Sequence, residues 1–121
     1  MFLSAKQPVY QYGIEQVTKY IDGDTIDVVI DLGFGIYVNK RIRLYGIDTP
    51  EIRTRDKEEK KRGKEALRRL KELCTCHEGD KLVLLSHGIG KYGRVLGELF
   101  NKDCSVNKML LIEGFADVYE E

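Results

Sequence analysis

Two blocks of strand-forming sequence flank one charged helical stretch, and no one-strand, one-helix alternation repeats. That order suggests a small closed barrel rather than a parallel α/β sheet, which needs a helical crossover between successive strands. In the first block, residues 14–21 (Ile14, Val17, Tyr20, Ile21) and 25–30 (Thr25, Ile26, Val28, Val29, Ile30) are rich in β-branched and aromatic side chains. Asp22-Gly23-Asp24 between them links two strands or kinks one long one. Gly33 and Gly35 mark the next connection, and residues 37–45 read as a third strand with Val38, Ile42 and Leu44 alternating, closed by Pro50. Residues 52–62 hold almost nothing apolar and predict a mobile loop or a frayed helix start. Ala66, Leu67, Leu70 and Leu73 then recur at helical spacing, with Arg68, Arg69, Lys71 and Glu72 facing out.

The second block holds strands at 82–85 and 95–100 around a glycine-rich loop at 88–93. Residues 106–112 are helical by pattern, capped by Ser105 or Asn107 and stopped at Gly114. Three strands, a helix, two strands and a helix predict a mainly β, α+β fold. The architecture expected is a five-stranded OB-type barrel, with one helix between strands 3 and 4 and a second near the C-terminus. At 121 residues the length fits one domain, 1–121, with its core at about 14–119.

Charge sharpens the reading. Twenty basic and twenty acidic side chains cancel over the whole chain, yet residues 1–39, 40–72 and 73–121 carry net charges of −3, +6 and −3. The basic middle is either a polyanion-binding face or a solvated helix and loop. Three cysteines, Cys74, Cys76 and Cys104, cannot all pair within one chain, so a reduced cytoplasm is favoured over secretion. Cys74, Cys76 and His77 lack the spacing of common zinc sites. The first residues show no secretory signal, and no apolar run reaches the roughly 20 residues of a membrane span.

Four short stretches gather polar residues where packing would not put them: 21–25, 41–44, 47–51 and 91–94. Asp24 opens an apolar strand, while Asp48 and Glu51 follow another. Carboxylates joined by sheet pairing, with backbone carbonyls nearby, make a hard-oxygen site suited to Ca²⁺ or Mg²⁺. Arg43 and Arg94 offer planar forks able to grip one phosphate from two sides. Glu51 is placed to accept a proton from an attacking water. Phosphodiester hydrolysis asks for such a set: cations for the phosphoryl oxygens and a base for water. Each motif alone has a simpler explanation. Asp-Gly-Asp is a common hairpin turn, Arg43 could form a buried ion pair with Asp24 or Asp48, and Arg94 could decorate a hairpin.

Together, Asp22-Gly23-Asp24-Thr25, Arg43-Leu44, Asp48-Thr49-Pro50-Glu51, Gly63-x-Glu65-Ala66 and Lys91-Tyr92-Gly93-Arg94 resemble the thermonuclease, or staphylococcal nuclease-like, domain family, in its motif order. Leu111-Ile112-Glu113-Gly114-Phe115-Ala116 adds to the likeness, which covers about residues 14–119. The resemblance implies Ca²⁺ held by Asp24, Asp48 and the Thr49 carbonyl, a phosphate clamp of Arg43 and Arg94, and Glu51 as general base. It also implies Lys91 and Tyr92 on a neighbouring phosphate. The implied substrates are DNA and RNA, cut with little sequence preference to 3′-phosphate ends, by a protein expected to be a monomer with no membrane partner. Two departures stand out. Gly90 replaces an Asp frequent in secreted relatives, and the sequence stops at Glu121, so a further C-terminal helix is expected to be missing, with Tyr119 as the remaining base-stacking tyrosine. The alternative is a noncatalytic OB-type module that binds nucleic acid or protein.

Overall fold

The computed structural model describes residues 10–120, so the reading of the first nine residues lies outside it. In chain order it forms β1 (Tyr10–Asp22), β2 (Thr25–Asp31), β3 (Tyr37–Leu44), β4 (Ile47–Asp48), α1 (Lys57–Leu73) and β5 (Val83–Ile89). There follow a 3₁₀ turn (Lys91–Gly93), β6 (Val95–Asn101), β7 (Cys104–Ser105), α2 (Val106–Ile112) and β8 (Asp117–Val118).

The large strands run in the order β3-β2-β1-β5-β6, and a parallel pairing of β3 with β6 closes them into a five-stranded barrel. The expected fold is therefore present, including the helix between the third and fourth barrel strands. Asp22 to Thr25 is a hairpin connection, with Asp22 opposite Thr25. β1 serves two neighbours: residues 10–13 pair with β5, and from Gly13 onward it pairs with β2. Three register shifts along the β1–β2 ladder supply the bending this requires.

Side chains of Ile26, Val28, Ile42, Leu44, Leu84 and Leu99 fill the barrel, and Leu70 of α1 and Leu110 of α2 join the same buried cluster. Gly97 on β6 lies so close to Leu84 that an added Cβ would stand 2.3 Å from its Cδ1.

The helix starts earlier than its apolar repeat indicates. Asp56 accepts hydrogen bonds from the backbone N–H groups of Glu58 and Glu59, and these two acids in the first turn suit the positive end of the helix. Residues 57–62 are thus helical, and their lack of apolar side chains matches the exposure of all of them but the half-buried Glu59. Of the two possible caps for α2, Ser105 is the one used, accepting from the Lys108 N–H. Asn107 is buried and ties the barrel together. Its Oδ1 accepts from Leu99 N–H, and its Nδ2 donates to the carbonyls of Tyr45 and Gly97. Arg69 of α1 grips Glu113 after α2 through two bonds, of 2.6 and 2.8 Å.

Candidate active site

The β1–β2 turn, the end of β3 and the segment from β4 to Glu51 converge beside α1. The contact face of α1 is made of small residues. An added Cβ on Gly63 would stand 2.8 Å from the carbonyl oxygens of both Pro50 and Glu51, and one on Gly23 would meet the Ala66 Cβ at 2.7 Å. The Gly63-x-x-Ala66 spacing therefore lets the helix backbone press directly on the turn carrying Asp24 and the loop carrying Glu51. The Glu51 N–H also donates to Glu59 of the helix at 3.2 Å, while Glu51 itself is exposed.

Asp24 is 6% exposed and held from three sides. Thr25 donates its hydroxyl to Oδ1 at 2.9 Å, the Thr49 N–H donates to Oδ2 at 3.0 Å, and Arg43 Nη2 stands 3.5 Å from Oδ2. Arg43 lies opposite Thr25 in the β2–β3 ladder, on the outer wall of the barrel. Its Nη1 donates to the carbonyls of Leu44 and Ile47, both at 2.8 Å, which fixes the plane of the guanidinium. Its Nη2 reaches Asp48 at 3.2 Å. The ion pair given above as the simpler explanation of Arg43 therefore exists, with Asp24 and Asp48 alike. The Tyr119 ring centroid lies 5.6 Å from the Arg43 guanidinium, within cation–π range, and Tyr119 is anchored by its N–H to the Gly46 carbonyl.

One guanidinium does not neutralise this corner. Partial burial of a side chain still 58% exposed, followed by the charge of Asp24, pushes the Asp48 carboxyl above its ordinary value despite Arg43, and Glu51 and Asp117 add to the push. Asp117 stands directly opposite Asp48 in the β4–β8 pair, a like-charge arrangement that is unfavourable in a ladder. Asp22 is likewise raised, first by burial and then by Asp24, with a smaller contribution from Glu51, although the Ile52 N–H and Arg53 oppose the rise. Asp22 and Asp117 thus join Asp24, Asp48 and Glu51 in one acidic corner. Sequence reasoning left both out of the site. Asp22 carried a signal in its Asp-Gly-Asp motif, whereas Asp117 had none, because only the β4–β8 register brings it in.

The donor chemistry suits a hard divalent cation. Every group is an oxygen, and the mutual repulsion of the carboxylates is the condition a cation relieves. Asp24 retains lone-pair capacity on Oδ1, since an ionised carboxylate offers about four acceptor positions. Among the described residues no three acidic, histidine or cysteine side chains are spaced to hold an ion alone. Asp24, Asp48 and the Thr49 carbonyl would therefore supply part of a coordination shell, with water completing the six to eight ligands Ca²⁺ takes.

The second half of the expected set sits on another hairpin. Lys91 and Tyr92 are exposed in the 3₁₀ turn between β5 and β6, with Tyr92 at φ 62° and the turn closed by the Gly90 N–H donating to the Arg94 carbonyl at 2.7 Å. Ile42 pairs with Val95 in the β3–β6 ladder, so Arg94, one residue earlier, is level with Arg41 and follows Arg43 along one face. Arg94 lines a groove with Arg41, Tyr92 and Gly93, and its Nε is buried with no hydrogen-bond partner. Arg94, Lys91 and Tyr92 make no direct contact with the carboxylates. Arg94 precedes the β3–β6 ladder that carries Arg43, and Lys91 and Tyr92 come before it in the turn. At Gly90 an added Cβ would press on Leu96 at 3.0 Å, so a larger residue there requires Leu96 to shift.

The cysteines lie elsewhere. None is in a disulfide; Cys74 is buried, and burial pushes its thiol up to about 12, so it stays protonated and unreactive at neutral pH.

A family model described as staphylococcal nuclease homologue matches residues 41–121, a span holding Arg43, Asp48, Thr49, Glu51, Lys91, Tyr92 and Arg94 but not Asp24. Comparison with curated proteins finds no match.

Proposed function

From the premise that the chain belongs to the staphylococcal nuclease homologue family, we propose that it is a Ca²⁺-dependent endonuclease. It hydrolyses DNA and RNA with little sequence preference and leaves 3′-phosphate ends. The observation that carries this reading is the unneutralised carboxylate corner around a guanidinium whose plane is fixed by two backbone carbonyls. A purely structural ion pair would match charge with charge, whereas here acids outnumber the guanidiniums that face them.

Each side chain then has a task. Asp24, Asp48 and the Thr49 carbonyl hold the cation, which when bound supplies positive charge to the phosphate. Arg43 from one side and Arg94 from the other donate to the phosphoryl oxygens, strengthening as charge builds on them in the transition state. Glu51 accepts the proton of the attacking water while the new P–O bond forms. The P–O5′ bond breaks, its electron pair goes to O5′, and O5′ takes a proton from solvent water while Glu51 returns its proton to solvent, leaving the phosphate on the 3′ side. Lys91 and Tyr92 hold a neighbouring phosphate. The test is cleavage of single-stranded DNA and of RNA in Ca²⁺ and in chelator, with end-group analysis of the products. Cleavage in Ca²⁺ alone, lost in Glu51→Gln, is expected. Equal, negligible cleavage in both conditions refutes the reading, as does full activity in Glu51→Gln. The noncatalytic reading rests on the Arg43 ion pairs, and salt-sensitive binding without turnover would favour it.

A further inference from the structure

The outer face of α1 carries a charge pattern that neither the fold nor the acidic corner uses. Lys57, Lys60, Lys61, Lys64 and Arg68 fall on one helical stripe and, with Glu65 at the edge, line a shallow surface groove of about 400 Å³. The stripe faces away from Gly63, Ala66 and Leu70, which bury the opposite side of the helix. All five basic residues are exposed. Among the described residues none of the four lysines is in an ion pair, and two of the nearby acids are engaged elsewhere. Glu59 accepts from the Glu51 N–H, and Glu72 is taken by Arg68 and Arg69. Four ammonium groups outside any ion pair thus lie within two turns of one helix, with Glu58 and Glu65 among them, in the segment that gives the chain its +6 middle.

We infer that this stripe is a second anchoring site for nucleic acid, holding the phosphates of a single strand that runs on from the acidic corner. The occupant follows from charge and continuity. The stripe is cationic and starts at the N-terminal end of α1, where Glu59 on the opposite face is bonded to the Glu51 backbone, so a strand leaving the corner reaches it around that end of the helix. From Lys57 to Arg68 the helix rises about 17 Å, at about 1.5 Å per residue, which spans about five nucleotides of a stacked strand at about 3.4 Å each. The lysine stems give the groove apolar walls while their ammonium groups stay in water. Such contacts add affinity without reading sequence. The choice of occupant rests on the nuclease reading; the binding test does not.

The test uses the full chain carrying Glu51→Gln, so that bound strands stay intact, in Ca²⁺. Binding of fluorescent oligo-dT of 4 and 16 nucleotides is followed by anisotropy across a salt series, with the four lysines all changed to Gln and, separately, all to Arg. The Gln form should bind the 16-mer at least tenfold more weakly at about 50 mM salt. Its log K against log[salt] slope should be shallower by about 2 to 3, near 0.7 per lost phosphate contact. The 4-mer should be bound equally by all forms, and the Arg form should restore the 16-mer. Equal 16-mer affinity and slope in the Gln form overturns the inference, as does an equal loss for both lengths. Tighter binding of a 16-residue polyglutamate than of the 16-mer by the lysine form overturns the choice of occupant. A protein that cleaves nothing yet shows the length-dependent lysine effect would sink the nuclease reading and leave this one standing.

Discussion

Gly63→Ala isolates the contact that locates Glu51. The new Cβ would stand 2.8 Å from the carbonyl oxygens of Pro50 and Glu51 and 2.9 Å from the Glu51 carbonyl carbon. Ordinary contact begins near 3.4 Å, so the loop must retreat by about 0.6 Å, because the helix is pinned on the same face by fully buried Ala66 and Leu70. Two effects on stability oppose each other. Alanine gains about 1 kcal/mol over glycine inside a helix, and overpacking costs about 1 to 3 kcal/mol, so the net loss is about 0 to 2 kcal/mol. The effect on rate is larger, since a 1 Å misplacement of a reacting group can cost about a hundredfold. A shift of about 0.6 Å in the Glu51 backbone should therefore lower kcat tenfold or more while the protein stays folded. Steady-state cleavage and thermal melting of Gly63→Ala would be compared with Gly13→Ala, where an added Cβ meets nothing within 4 Å. Activity within threefold of the parent in Gly63→Ala refutes the argument that this contact positions the loop for chemistry.

Asp48→Asn should raise the melting temperature at pH 7 in chelator and abolish the further rise that Ca²⁺ gives the parent. The sign follows from a carboxyl whose folded pKa lies above its unfolded one. Such a group binds protons more tightly in the folded state, so it destabilises above the folded pKa and the penalty fades as pH falls toward the unfolded value. The gain over the parent should thus shrink by pH 4, and a lower melting temperature for the variant in chelator would contradict the repulsion argument. Arg43→Lys should lose about a hundredfold or more in kcat and melt earlier, because an ammonium cannot hold the Leu44 and Ile47 carbonyls and still reach the carboxylates; unchanged kcat counts against the phosphate clamp. Gly97→Ala should cost about 1 to 3 kcal/mol in urea unfolding through its clash with Leu84. Leu84→Ala should cost less on the Gly97→Ala background than in the parent, and a strictly additive double variant would show that the two do not compete for the same space.

Periodicity in the sequence was enough for the barrel strands, the two helical segments and their order, since β-branched alternation and a 3.6-residue repeat are local patterns. The polar interruptions at Asp24, Arg43, Asp48, Glu51 and Arg94 were legible for the same reason, each breaking a local rule of packing. The first turns of α1 were not, because their stability comes from Asp56 and from charge rather than from an apolar face. Nor was the role of Asn107, whose three partners lie on β6 and just after β3.

Composition and motif order by themselves determined the kind of fold and the chemical types at the site. Only the tertiary structure decided that Arg43 shares the corner with Asp24 and Asp48, that Asp22 and Asp117 add their charge to it, and that Gly63 seats the Glu51 loop. Those facts depend on register and on the close approach of segments distant in the chain. A side chain's local pattern states which face it occupies, while pairing and contact across the barrel state what it faces.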